Sequence, residues 1–199
     1  MRRAFALFVL ATVFVAGPVL ADQLTGMGAN IHGNYFSFPK ANLDKTPVGK
    51  IKVGALSVGL ASTKLKDLAK AFGGTIRSGG GATWVCYHTE DANSWFISNA
   101  QGGQEFVMMV AMQSASGNAP ADCDDANAKF RLPDLGVPGL GAKGADLKAT
   151  FGFASGSKVA YRADRAGGYS DIAQYLGYVL KGGAVTGVAV GETTIPTAH

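Results

Sequence analysis

Charge is scarce in this chain: Asp, Glu, Lys and Arg together make up 16% of 199 residues. Charge this low, beside 47% hydrophobic residues, argues against collagen, a coiled coil and a wholly disordered chain, because the apolar content can fill a core and the charge content is low. Cysteine is scarcer still, with Cys86 and Cys123 alone and no C-x-x-C, which argues against a thiolate metal site or a redox motif. Histidine is confined to His32, His88 and His199. No G-x-S-x-G turn is present, and Gly79-Gly80-Gly81 is followed by no Lys-Ser/Thr pair, so a hydrolase elbow and a phosphate cradle both lack their defining residues. No apolar run reaches the ~20 residues that a spanning helix needs, and no stable membrane anchor is expected.

What the chain does have begins at its N-terminus. Arg2-Arg3, an apolar run from Ala4 to Ala16 broken only by Thr12, and the small-residue end Val19-Leu20-Ala21 read as a signal peptide over residues 1–21. The expected location is therefore periplasmic or secreted. Without Arg2 and Arg3 the net charge drops from +4 to +2, and the remaining cations are scattered, so nucleic acid is not expected as a partner. Export also places Cys86 and Cys123 where disulfides persist, and the pair is read as a structural bridge.

The mature chain carries an internal repeat. Lys64 to Gly73 and Lys143 to Gly152 both read K-x-x-D-L-x-x-x-F-G, shifted by 79, and Gly102-Gly103 recurs as Gly182-Gly183 ahead of an apolar run. Leu65, Leu68, Ala69 and Phe72 lie on one helical face, which predicts a helix over about 63–72, capped by Ser62 or Thr63, with a second over about 143–151. Three strand-like runs follow each helix: 83–88, 94–98 and 105–113, then 158–162, 175–180 and 184–190. The expectation is an α+β fold of two tandem α-β-β-β units, with antiparallel sheet and short helices packed on one face. Unit boundaries fall at 49–116 and 129–194, after a Gly- and Asn-rich, partly ordered lead-in over 22–48. Ile51-Lys52-Val53 and Phe130-Arg131-Leu132 form short apolar stretches ahead of the two helices.

The L-x-x-x-F-G helix ends, Leu68 to Gly73 and Leu147 to Gly152, feeding a first strand each, resemble those of the β-lactamase inhibitor proteins and the SmpA/OmlA envelope lipoproteins. That resemblance implies tandem helix-plus-meander units and a protein-binding role in the cell envelope. The chain departs from the lipoproteins in having no Cys after its expected cleavage site.

No catalytic constellation emerges, and neither a cofactor nor a metal is expected. His88 beside Glu90 and Asp91 is a strand-end histidine next to an acidic turn, although a hydrolase built on His88 is the enzymatic alternative. Ser155-Gly156-Ser157-Lys158 matches S-x-x-K but precedes a strand rather than opening a helix. Asp122, Asp124 and Asp125 lack the Gly and Glu of a calcium loop and read as a solvated acidic loop around the disulfide. Met108, Met109 and Met112 lie in a run that is apolar on both sides, as in a central strand. Aromatics remain in excess, and with helices on one face only, the other would present rings for recognition. The predicted function is thus a non-catalytic binding protein that engages a protein partner through Trp84, Tyr87, Trp95, Met109, Tyr161 and Tyr178. A small-ligand or lipid carrier is the other alternative.

Overall fold

The computed structural model describes residues 23–34, 37–153, 156–167 and 169–196. The expected signal peptide, Ser155 of the S-x-x-K match and His199 lie outside them. The fold is α+β. Its elements run α1 (Gly26–Asn34), β1 (Lys40–Asn42), β2 (Ile51–Val53), β3 (Leu56–Val58), α2 (Leu65–Phe72), β4 (Arg77–Gly79), β5 (Ala82–His88) and β6 (Ala92–Ser98). A 3-10 turn (Ala100–Gly102) leads to β7 (Met109–Ser114), β8 (Asp124–Asp125), α3 (Gly144–Phe151), β9 (Lys158–Arg165), β10 (Asp171–Lys181) and β11 (Ala184–Ile195).

One sheet organises the molecule, in the order β1-β9-β10-β11-β7-β6-β5-β4, with β8 also on the outer edge of β5. Its pairs are antiparallel except β1 with β9 and β5 with β8. The meanders β5-β6-β7 and β9-β10-β11 meet through their third strands. There Ala111 faces Ala189, Met112 faces Val188 and Val110 faces Val190, so the pairing is two-fold symmetric about the alanines. The pairs flanking the seam follow suit: Phe96 stands beside Val110 as Tyr178 stands beside Val188.

Helix α2 forms because Leu65, Leu68 and Phe72 fall on one stripe, and all three are buried. Neither expected cap serves it: Lys64 occupies the N-cap position without a side-chain capping bond, and the Thr63 hydroxyl accepts from the Gly59 N–H instead. Helix α3 begins with a capping interaction, the Lys143 N–H donating to the Asp146 carboxylate at 2.7 Å. Both helices lie on one face with β2-β3 and the 129–137 segment, over Val85, Tyr87, Phe96, Val110, Met112, Val159, Tyr161, Leu176, Tyr178, Val188 and Val190. Of the two short apolar stretches, only Ile51 to Val53 forms a strand; Phe130 packs into the same core from a loop.

The opposite face is covered as well, which corrects the expected one-sided architecture. The 22–48 lead-in contains α1 and β1, and α1 lays Met27 and Ile31 over Trp95, Ile97, Met109, Ala111 and Ala189. Central strands with both faces under helices must be apolar on both, which is why β7 reads as an unbroken Met and Val run. Val107 and Met108, ahead of β7, depart from its alternation, with Val107 joining the α2 side and Met108 the α1 side.

Candidate functional site

The six residues expected to form an open recognition face do not form one. Trp84, Tyr87, Trp95, Tyr161 and Tyr178 are 0% exposed and Met109 is 8% exposed. They also divide between the two sides of the sheet: Tyr87, Tyr161 and Tyr178 point toward α2 and α3, while Trp84, Trp95 and Met109 lie on the α1 side. Alternation along β5 makes the division unavoidable, since Trp84 and Tyr87 are three positions apart and so emerge on opposite faces.

The tyrosines serve as struts. Tyr87 donates its hydroxyl to the Gly73 carbonyl at 2.8 Å and meets Phe72 edge-on. Tyr161 does the same for the second helix, donating to the Phe153 carbonyl while its ring packs on Phe151. Burial raises the pKa of each phenol, that of Tyr161 to about 12. Burial raises that of Tyr178 further, and its hydroxyl has no hydrogen-bond partner among the described residues.

Cys86 and Cys123 form the expected disulfide. Around it the acidic triplet proves to be structural rather than a solvated loop. Asp122 is 3% exposed and accepts the Trp95 indole N–H at 2.9 Å, the Thr25 backbone N–H at 3.0 Å and the Thr25 hydroxyl. Asp124 accepts a two-pronged bond from Arg77 at 2.7 and 2.9 Å and the Thr75 N–H at 2.6 Å, which hold its carboxyl below the ordinary range. Asp125 is exposed.

His88 has Asn93 as its ring partner, Nδ1 to Oδ1 at 2.7 Å, while Glu90 and Asp91 are exposed on the turn beyond. The nearby Ser94 hydroxyl is buried on β6 and unpartnered among the described residues, with no hydrogen bond to His88. No group of three or more His, Cys, Asp or Glu residues gathers in metal-ligating geometry among the described residues.

Open space concentrates around α1. A cleft of about 340 Å³ lies beyond its C-terminal half, between His32, Asn99, Gln101, Tyr175 and Thr193, over a floor of Met109 and Gly191. The polar rim is held in place: Asn99 caps the 3-10 turn, and Gln101 bridges to Thr193 and Thr194. A second cleft, about 460 Å³, lies beside Met27 and Asn30 and is edged by Gln113, Ser114, Thr186 and Lys181. A third, about 180 Å³, separates α1 from the Gly79-Gly80 turn. Composition could not locate these clefts, because their walls belong to segments up to about 160 residues apart that only the sheet brings together. The one available signal was Met27 and Ile31 at helical spacing, diluted by the surrounding glycines.

No family model matches the chain, and no curated protein matches it. Among solved structures it is similar to a cysteine-rich secretory protein from Staphylococcus aureus subsp. aureus Mu50, at 10% identity and a TM-score of 0.42. The match covers 78% of this chain and 50% of that one, so the chain spans half the length of the protein it matches.

Proposed function

We propose that this is an exported, non-catalytic binding protein whose recognition surface is the pair of larger clefts flanking α1. The carrying observation is their construction. Each has a size suited to a small molecule and amide or hydroxyl groups converging from separate elements, and the first adds an apolar floor of Met109 and Gly191 supplied by the sheet. Burial of the aromatic residues argues against a flat protein-docking sheet face and moves the reading toward a small ligand. Among the described residues the large apolar side chains that are exposed, Ile76, Phe153 and Tyr169, belong to three separate segments. Export is supported by the signal-like N-terminus and by the disulfide, which persists in oxidising compartments. Among the described residues no helix is long and apolar enough to cross a membrane.

The test is to titrate ¹⁵N-labelled mature protein with a fragment panel of small sugars, amides and aromatic acids. Saturable shifts confined to 99–101 and 191–193, or to 113–116 and 179–187, would support the reading. Shifts centred elsewhere, or none at millimolar fragment, would reject it.

A further inference from the structure

We propose that α1 is a latched strap: it lifts and recloses as a unit while the sheet beneath stays folded, and Asp122 is its latch. This goes beyond the binding reading and stands whether or not the clefts hold a ligand.

The segment Gly26–Asn34, GMGANIHGN, is nine residues with three glycines and one alanine. So short and glycine-rich a sequence does not hold a helix in water, and its helicity depends on docking. Docking rests on a narrow contact. Met27 and Ile31 are its buried apolar side chains, and Gly28 lies flat on Trp95, where a Cβ would stand 2.8 Å from the indole. Gly187 does the same for Met27 from the sheet side, a Cβ there coming within 3.2 Å of the Met27 sulfur. Three clefts border the helix, leaving its flanks unpacked.

Hydrogen bonding is equally concentrated. Among the described residues no side-chain bond joins 26–33 to the sheet; the tie is at Thr25, whose N–H and hydroxyl both go to Asp122. The same carboxylate grips Trp95, the ring on which α1 lies. Its neighbour Cys123 is bonded to Cys86, and Cys86 faces Trp95 across β5 and β6. The latch is thus fastened to the sheet covalently on one side and to the strap by two hydrogen bonds on the other. With the strap lifted, the first and second clefts join as one groove over β7 and β11, whose residues line both.

Native-state hydrogen exchange on the oxidised mature protein tests this. Amides of 29–33 should exchange at least a hundredfold faster than those of β6, β7 and β11, with little denaturant dependence, as a local opening does. Asp122→Asn should speed the helix amides by a further tenfold or more, and by more than it speeds the sheet amides, which feel the change only through the Trp95 indole. Thr25→Ala, which keeps the backbone N–H bond and loses the hydroxyl, should give a smaller acceleration of the same amides. The proposal is overturned if the wild-type helix amides exchange together with the sheet and share its denaturant slope. Equal acceleration of helix and sheet by Asp122→Asn would also overturn it, since Asp122 would then support the whole fold.

Discussion

Phe151 packs on Tyr161 with ring centroids 4.2 Å apart, and Phe72 meets Tyr87 at 6.0 Å from the equivalent place at the end of α2. The surroundings of the two phenylalanines differ. Phe72 is 4% exposed and also meets Phe130 edge-on, whereas Phe151 is only half-buried.

Phe72→Ala should therefore cost about 3–4 kcal/mol of stability, and Phe151→Ala about half as much, because the cavity left near solvent can collapse or hydrate. Urea unfolding with unchanged m-values checks both. Equal losses would place the two helices in equivalent cores.

Removing the disulfide by Cys86→Ala/Cys123→Ala should destabilise by about 4 kcal/mol, the chain-entropy value for a loop spanning the separation of 37 residues. Thiol titration of denatured, unreduced wild type should find no free thiol. Two thiols per chain would remove the bridge and the stabilisation assigned to it.

Trp95→Phe should lower stability by about 2–3 kcal/mol, since it withdraws an indole donor from a buried carboxylate. Tyr178→Phe should be neutral or stabilising by about 1 kcal/mol, because the hydroxyl it deletes is buried and unpartnered among the described residues. Thermal melts of both variants provide the measurement, and a marked loss from Tyr178→Phe would reveal a partner for that oxygen.

The buried phenols set an alkaline limit. Their folded pKa values lie above the unfolded value of about 10, so the unfolded chain loses protons first. Stability should be intact below that value and fall as pH rises from about 10 toward the folded value of about 12 for Tyr161. Tyrosinate absorbance near ~295 nm should lag in the native protein and then rise together with unfolding. Early, independent ionisation of Tyr87, Tyr161 and Tyr178 would contradict their burial.

At the acid end Asp124 works with the opposite sign. Its carboxyl is depressed in the fold by Arg77, so its contribution is present above the unfolded value of about 3.9 and is lost as pH falls through the lower folded value. Asp124→Asn should flatten the stability curve in that window. An unchanged curve would mean that the Arg77 pair contributes nothing in solution.

Several features were legible in the sequence because they rest on neighbours along the chain. The stripe of Leu65, Leu68 and Phe72 and the apolar run of β7 follow from periodicity within a few residues, whereas the three strands expected after the first helix are joined in the fold by the short β4 and β8. The Cys86–Cys123 bridge was equally readable, from the count of two cysteines and the export expected from the N-terminal residues. Tertiary structure alone decided which surfaces remain open. Read from the sequence, Trp84, Trp95 and Met109 share one open face with Tyr87, Tyr161 and Tyr178, and nothing there records that the first three lie on a separate side covered by α1, some 50 to 80 residues earlier. That helix has almost no local signal, because its glycines, which weaken it in isolation, are what let its backbone rest against Trp95. Asp122 likewise reads as a solvent-facing loop acid until the disulfide and the sheet bring it beneath Thr25 and the Trp95 indole. Burial is a property of what packs above a residue, and here the covering element is held by contacts distant in the chain.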